Sequence, residues 1–273
     1  MPKPPLPSPA QAQGRRAPRR PPRPAAPAPT GPQRIAKLLA RAGVASRRDI
    51  ERMIAEGRVA LGGTVLTLPA PLVGDLRGVT VDGRPVANPE AARVFRLNKP
   101  TGVLTTARDP AGRPTVYGLI PADFLRLLTV GRLDFTSEGL LLLTNDGGLK
   151  RTLELPATGL ERRYRARAYG PATQQLLDRL LDGVEIESVR YGPIRAFLES
   201  KRGDNAWIEL ILTEGKNREV RRVLEYLGLK VNRLIRTHYG PFALGDLPTA
   251  RLDEVPPPDV AALVARFAAP AKA

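Results

Sequence analysis

The sequence has no cysteine and a single histidine, His238, among its 273 residues. Without thiols there can be no disulfide bonds, thiolate zinc sites or cysteine nucleophiles, and one imidazole is too little for a histidine-based metal site or triad. No metal centre is therefore expected. Any chemistry must use aspartate, glutamate, lysine, arginine, tyrosine, serine or threonine side chains.

Long hydrophobic runs are missing as well. No stretch of about 18 apolar residues is available to cross a membrane, and the amino terminus lacks the uninterrupted apolar core of a secretory signal. These absences predict a soluble, cytoplasmic protein that makes no membrane contact.

Acidic residues are few compared with basic ones. The chain carries 43 lysines and arginines against 27 aspartates and glutamates, which gives a formal net charge of +16. Such an excess favours a polyanionic partner, and nucleic acid is the first candidate. A chain of this length with 42% hydrophobic residues can form one large core and a smaller module, so two domains are expected.

Residues 1–33 differ from the rest in composition. They hold 12 of the 29 prolines, five arginines and one lysine, and no acid. A segment of this kind cannot bury enough apolar surface to offset the entropy lost on ordering. We expect a disordered basic arm, which either makes salt-sensitive contacts to phosphates or serves as a solubilising tail.

Residues 34–90 are predicted to form a small module of two helices on short strands. Apolar residues recur at helical spacing from Ile35 to Ala42, and Gly43 ends that helix. Ser46 is placed to cap a second helix, with Asp49 three residues on as its partner. Two short hairpins with Gly-Gly and Asp-Gly turns follow. Basic residues crowd the start of the second helix, which is typical of a binding module.

Residues 91–255 have the pattern of a larger mixed α and β region. The alternation in "RRYRARAYG" predicts a strand with one packed face and one cationic face. The stretch "NAWIELILTEGKNREVRRVLEYLG" predicts a strand, a turn and a helix, with Asn217 as N-cap and Gly228 as the end. On that helix Arg221 lies at the rim of the apolar stripe, from which it can reach a cleft, whereas Arg222 points away.

The stretch "GRLDFTSEGLLLLTNDGGL" places Asp134 close to Arg132, just ahead of a buried strand that a turn should close. From the residues alone, this aspartate either forms a turn and pairs with the arginine, or it is a functional carboxylate. A magnesium-dependent nuclease could use Asp134, Glu138 and Asp146. Their placement on a strand and a turn argues against their meeting around one ion, and the basic setting opposes a cation.

Two resemblances give these patterns a function. "RIAKLLARAGVASRRDIERMIAEGRVALGGTVL" resembles the S4 RNA-binding domain, two helices on a small sheet. "NKPTG", "GRLDFTSEGLLLLTNDG", "RRYRARAYG" and "LTEGKNREVRRVL", in that order, resemble the RsuA/RluB family of ribosomal RNA pseudouridine synthases. The resemblance implies an α+β catalytic domain over 91–255, with a mixed, mainly antiparallel sheet and flanking helices. Residues 256–273 are expected to form a tail, a short helix with a frayed end. The loop sequence "RDPAGRPTVYGLIP" is more similar to the large-subunit members of the family than to the small-subunit enzyme, which favours 23S rRNA as the substrate.

The resemblance also implies roles for individual residues. Asp134 would be the catalytic aspartate, Tyr164 would lie against the target base, and Arg221 would pair with the aspartate and keep it ionised. Arg132 belongs to the same motif as the aspartate. Lys99 and Pro100 would support the site. The residues expected to contact RNA are Arg34, Lys37, Ser46, Arg47, Arg48 and Arg58.

The implied reaction needs no cofactor, because nothing is oxidised and no group leaves. The expected partner is ribosomal RNA, free or in an assembling subunit, bound by a monomer. Two alternatives remain open at this point, a small-subunit (16S) pseudouridine synthase and a non-catalytic ribosome-binding or assembly factor. The second would need only the S4 module, whereas Asp134, Tyr164 and Arg221 favour an enzyme.

Overall fold

The computed structural model describes residues 31–121, 124 and 126–268, so residues 1–30 of the expected basic arm lie outside the described part. The helices are α1 (Ile35–Arg41), α2 (Arg47–Ala55), α3 (Gly147–Glu154), α4 (Gln174–Asp178), α5 (Glu219–Tyr226) and α6 (Pro257–Ala268). The strands are β1 (Gln33–Arg34), β2 (Val59–Leu61), β3 (Thr64–Val65), β4 (Leu72–Val73), β5 (Val79–Val81), β6 (Arg84–Pro85), β7 (Val94–Lys99), β8 (Leu128–Val130), β9 (Glu138–Thr144), β10 (Arg162–Tyr169), β11 (Val184–Ile186), β12 (Val189–Tyr191), β13 (Arg195–Arg202), β14 (Asn205–Leu212), β15 (Lys230–Tyr239), β16 (Phe242–Ala243) and β17 (Leu252–Glu254).

The amino-terminal module packs α1 and α2 against a four-stranded antiparallel sheet ordered β3-β2-β5-β6. The predicted cap is confirmed, since the Ser46 hydroxyl accepts a hydrogen bond from the Asp49 amide at 3.1 Å. Both predicted hairpin turns form as well. In the first, Gly62 and Gly63 both have positive φ, a conformation that two consecutive glycines adopt without strain.

The larger domain is built on a nine-stranded sheet. Its central path runs β13-β14-β10-β15-β9-β7-β17, with β16 beside β15 and β8 beside β9. The β9–β15 pair is parallel and the other pairs are antiparallel. The expected mixed, mainly antiparallel sheet is therefore confirmed. In β10, as the alternation predicts, Tyr164, Ala166 and Ala168 are buried, while Arg165 and Arg167 are exposed.

The centre of strand β9, Leu140 to Leu143, is a continuous apolar run because both faces of the sheet are covered there. Leu141 and Leu143 point into a core shared with α4 and α5. Leu140 and Leu142 point into a second core shared with α3 and α6. A strand buried on both sides reads as a continuous hydrophobic run rather than an alternating one.

The parallel junction between β9 and β15 depends on Gly139. This residue has φ of 99°, and a Cβ atom added there would lie 2.4 Å from the Arg236 carbonyl oxygen and 2.9 Å from its amide nitrogen. Only glycine allows the two backbones to approach so closely. The junction fixes the start of β9, and with it the loop that carries Asp134, against β15.

The start of α5 differs from the prediction. The N-cap is Arg218 rather than Asn217, and the helix begins at Glu219. Arg218 adopts the left-handed conformation, with φ of 51°, a strain of about 1–2 kcal/mol for a residue with a side chain. Asparagine is the usual cap, but here the tight loop before the helix, held by a hydrogen bond from the Lys216 amide to the Glu219 carboxylate at 2.8 Å, moves the cap by one residue.

Two further segments form helices. The predicted turn after β9 is the start of α3, whose cap Asp146 accepts hydrogen bonds from the amides of Gly148 and Leu149. The carboxyl-terminal segment forms α6, and Val260 and Leu263 are buried in the second core. Among the described helices, none is both long and apolar enough to span a membrane.

Candidate active site

A cleft of about 640 Å³ opens beside the loop that joins β8 to β9. Residues 131–137, called the Asp134 loop below, form one wall, and the segment leading into α5 forms the opposite wall. The floor is provided mainly by β10, β14 and β15. The residues lining the cleft include Arg132, Leu133, Asp134, Ser137, Arg162, Tyr164, Leu212, Glu214, Lys216, Arg218, Glu219, Val220, Leu234, Arg236 and Tyr239.

The backbone of the Asp134 loop is held by groups from outside it. The Thr105 hydroxyl donates to the Leu133 carbonyl at 2.8 Å, and the Gly102 amide donates to the Phe135 carbonyl at 2.8 Å. The Glu154 carboxylate of α3 accepts the Gly131 amide at 2.6 Å. Because these contacts come from separate parts of the domain, the loop is fixed before any substrate binds.

Lys99, at the end of β7, is buried directly beneath this loop. Its ammonium group donates to three carbonyl oxygens, those of Pro100 at 3.0 Å, Asp134 at 3.0 Å and Ser137 at 2.8 Å. Burial lowers the pKa of Lys99 to about 8, although the carboxylates of Asp134 and Glu138 oppose that shift. Three acceptors use all three protons of the charged form, so the protonated lysine is the one that holds the loop.

The Asp134 side chain is 34% exposed and faces the cleft. Among the described residues, the nearest side-chain cation is Arg218, whose Nη1 lies 3.9 Å from Asp134 Oδ2. The left-handed backbone at Arg218 brings this guanidinium to the cleft wall opposite the loop. Strain held at a site of this kind is characteristic of functional positions.

Arg221, expected to pair with the aspartate, instead donates to the carbonyls of Thr136 at 3.2 Å and Val231 at 3.1 Å. Burial and then the neighbouring Arg218 lower the pKa of Arg221, while the Asp134 charge opposes them. The ion-pair partner within 4.0 Å is thus Arg218, one helical turn earlier. The rim position that the helical spacing predicts leads Arg221 to the loop backbone rather than to the carboxylate.

Tyr164 and Arg132 both line the cleft. Tyr164 is only 9% exposed and forms part of the floor, packed into the first core. Arg132 is exposed, and its carbonyl oxygen lies 3.5 Å from the Arg236 Nη1 atom. Pro100 contributes a carbonyl acceptor to Lys99. Of the residues implied by the sequence motifs, Arg132, Asp134 and Tyr164 line the cleft. Lys99 and Arg221 instead contact the backbone of the Asp134 loop from outside the cleft lining.

Several charged residues of the cleft were missed by the sequence reasoning. Arg162 and Arg236 are buried near the Tyr239 ring, with their guanidinium carbons 4.8 and 5.2 Å from its centroid. Glu219 is buried at the start of α5. The residue types of all three are visible in the sequence, but nothing local signals that these side chains turn inward, since their burial depends on segments distant in the chain.

The residues expected to contact RNA lie on the small module. Arg34, Lys37, Arg47 and Arg48 are exposed. Arg58 is held by carboxylates, with both oxygens of Asp82 at 2.7 Å and one of Glu56 at 3.2 Å. Any RNA contact by Arg58 would therefore compete with existing ion pairs. Ser46 serves as the helix cap described above.

The carboxylates considered for a metal site have other partners. Glu138 pairs with Arg233 at 2.5 Å. Asp146 caps α3 and pairs with Arg41 of α1 at 2.9 Å, a half-buried contact that joins the two domains. In the described ranges, no group of three or more metal-binding side chains comes together.

Comparison with known proteins matches this architecture. Residues 93–226 match the RNA pseudouridylate synthase family, and residues 33–74 match the S4 domain. An uncharacterised RNA pseudouridine synthase of Rickettsia bellii is 44% identical over 82% of this chain and 96% of its own length. The ribosomal large subunit pseudouridine synthase B of Salmonella typhi is 42% identical over 78% of this chain and 75% of its own length. That of Pseudomonas aeruginosa is 41% identical, and the match spans 59% of its length.

A crystal structure of a pseudouridylate synthase shares the fold, with a TM-score of 0.60 at 22% identity over 84% of this chain and 98% of the other. An S4 module joined to a mixed-sheet domain with an aspartate in its cleft is the arrangement of an RNA-modifying isomerase. The chain belongs to the RNA pseudouridine synthase family, among its RsuA/RluB members.

Proposed function

We propose that this enzyme converts a specific uridine of 23S ribosomal RNA to pseudouridine, with Asp134 as the nucleophile. The observation that carries the proposal is the Asp134 loop, whose backbone is fixed from several sides while its carboxylate stays accessible in the cleft. The Arg218 guanidinium lies 3.9 Å from that carboxylate, and a carboxylate can serve as the nucleophile of a covalent mechanism.

The reaction breaks the glycosidic bond between N1 of uracil and C1′ of ribose and forms a new bond from C5 of the base to C1′. The hydrogen on C5 leaves as a proton and N1 gains one, so no redox partner is needed. Asp134 adds either to C6 of the base or to C1′ of the sugar, and both routes use the same carboxylate. Tyr164 offers a flat, buried surface to the base after it leaves its stack.

Large-subunit RNA is the preferred target because similar proteins bear the name ribosomal large subunit pseudouridine synthase B. The exposed arginines of the S4 module would dock on a nearby RNA hairpin. With a ribosomal substrate, the reaction would take place in the cytoplasm. A 16S target is the second candidate, and the mapping experiment distinguishes the two.

The experiment compares ribosomal RNA from a deletion strain with that from strains complemented by the wild-type gene or by Asp134→Asn. Carbodiimide labelling and primer extension should show one stop that disappears on deletion, returns with the wild-type gene and does not return with the variant. The position of the stop identifies the RNA and the uridine. If Asp134→Asn restores the stop, Asp134 is not the nucleophile.

A further inference from the structure

Glu219 is a carboxylate with an unusual position in the cleft. It is the first residue of α5, is only 4% exposed and lines the cavity. One of its oxygens, Oε2, accepts the Lys216 amide at 2.8 Å. The other, Oε1, is buried without a hydrogen-bond partner among the described residues.

An unpartnered carboxylate oxygen in such a place is energetically unfavourable. Burial raises the pKa of Glu219; the Lys216 amide opposes this, Glu214 adds to it, and the charges of Lys216 and Arg162 oppose it. Leaving a buried acceptor unsatisfied costs about 1–3 kcal/mol, more for a charged group. A bound molecule that brings an N–H donor to Oε1 would remove that cost.

Two other buried polar atoms of cleft residues also lack partners among the described residues, the Ser137 hydroxyl and the Arg236 Nη2 atom. Both can donate a hydrogen bond, whereas an ionised Glu219 can only accept. The pairing edge of uracil presents two carbonyl acceptors flanking one N3–H donor, so this set has the complementary composition. Tyr164, Leu212 and Val220 line the same cleft, which suits a flat base.

We propose that Glu219 determines base specificity by accepting the N3–H of the target uracil at Oε1. The proposal rests on the function given above and adds the residue that selects uridine over cytidine. Cytosine has a lone pair at N3, which would face the carboxylate oxygen and leave it unsatisfied.

The geometry also predicts how a glutamine would behave. Glu219 uses one oxygen for the Lys216 amide and offers the other to the base, so both must be acceptors. Glutamine has the same shape but only one acceptor, and its amide NH₂ would face a donor on one side or the other. Glu219→Gln should therefore be nearly as impaired as Glu219→Ala.

The test is a cycle that changes both partners. Synthetic RNA stem-loops carry either uridine or 3-methyluridine at the position mapped by the deletion experiment, and single-turnover pseudouridine formation is measured for each. Wild type, Glu219→Ala and Glu219→Gln are compared with Glu225→Gln, which changes an exposed carboxylate on the same helix. The methyl group removes the donor, so wild type and Glu225→Gln should slow by about ten- to a hundredfold, the value of one hydrogen bond to a charged group.

Both variants should be slower than wild type on uridine RNA. In Glu219→Ala the hydrogen bond is already absent, so methylation should slow this variant at most about threefold more. If methylation slows Glu219→Ala by the same factor as wild type, Glu219 does not contact N3–H and the proposal fails. Each ratio is taken within one protein, so partial misfolding cannot produce the result. Absence of turnover by wild type on uridine RNA would instead contradict the proposed function itself.

Discussion

The Asp134 loop and the basic face of the S4 module use their cationic side chains differently. Around the loop, Lys99 and Arg221 donate hydrogen bonds to its backbone carbonyls. On the S4 module, Arg47 and Arg48 are exposed at the start of α2. The helix end there is capped by Ser46 and needs neither arginine. Basic side chains therefore hold the backbone in place in the first region, and in the second they remain free to contact RNA.

This difference follows from what each region has to do. Bond-making chemistry needs a reacting atom placed to within a fraction of an ångström, which requires a fixed backbone. Binding to a phosphate backbone tolerates movement, because the attraction is long-ranged and acts on charge. Substitutions in the loop should therefore affect turnover, and substitutions on the S4 face should affect binding.

The largest effect among the supporting residues is expected for Lys99→Met. Methionine fills a similar volume but leaves the carbonyls of Pro100, Asp134 and Ser137 without their donor. A displaced nucleophile should lower kcat by about a hundredfold with RNA binding nearly unchanged. Lys201→Met is the control, since that lysine of β13 donates to a single carbonyl, that of Ala172, at 3.0 Å. Equal loss of turnover in both variants would contradict the role of Lys99.

Arg221→Ala should lower kcat by about thirtyfold. This is less than for Lys99→Met, because the loop keeps its other anchors when the Thr136 carbonyl loses its donor. Filter binding of RNA should change by less than about twofold, since the guanidinium already donates to backbone carbonyls. Arg222→Ala, at the next position of α5, serves as the control. If Arg221→Ala weakens RNA binding as much as turnover, Arg221 contacts RNA rather than the loop.

Alkaline pH should reproduce part of the Lys99 effect. As pH rises through about 8, the lowered pKa of Lys99, the ammonium loses a proton and one carbonyl loses its donor. At one unit above this pKa about a tenth of the lysine is protonated, so kcat should fall about tenfold. The fall should be absent from the profile of Lys99→Met.

The effect of Lys99 on global stability has the opposite dependence on pH. The unfolded chain keeps the Lys99 proton up to its ordinary pKa of about 10.5, whereas the folded protein releases it near 8. Between these values the unfolded chain binds more protons, so the contribution of Lys99 to the free energy of unfolding rises with pH. An unfolding transition that follows the loss of turnover would contradict this account.

The smallest effect is expected on the S4 face. Replacing Arg47 and Arg48 by alanine should weaken RNA binding a few-fold and lower the slope of log affinity against log salt by about one for each phosphate that is no longer bound. Turnover at saturating RNA should not change. Arg52→Ala is the control on the same helix, because Arg52 is paired with Asp49 at 2.9 Å. A salt slope that stays constant in the double variant would remove these arginines from the interface.

The sequence predicts the parts of this comparison that depend on local pattern. The Ser46 cap, the alternation of β10 and the apolar stripe of α5 follow from spacing and residue type over a few positions. The Arg218 conformation, the carbonyl contacts of Lys99 and the burial of Glu219 do not. The Lys99 contacts and the burial of Glu219 are set where segments distant in the chain meet. The Arg218 conformation comes from the tight loop before α5, whose hydrogen bond from the Lys216 amide to Glu219 is not signalled by residue type.

The apolar run of β9 is an instructive intermediate case. Its residues predict a buried strand, and the strand forms, but the glycine near its start gives no local sign of its purpose. Gly139 is required because β15 lies against it in parallel, 2.4 Å from where a Cβ atom would stand. The position of the site therefore depends on a pairing between residues about a hundred positions apart.

The most direct test of the central claim is single-turnover release of tritium from RNA labelled at C5 of uridine, measured with wild type and Asp134→Asn. Asparagine keeps the shape and the backbone anchors of the loop but removes the negative charge. The account predicts that release falls by about a thousandfold or more while RNA binding stays within about twofold. Release by Asp134→Asn within about tenfold of wild type would contradict it, since no nucleophilic carboxylate would then be required at this position.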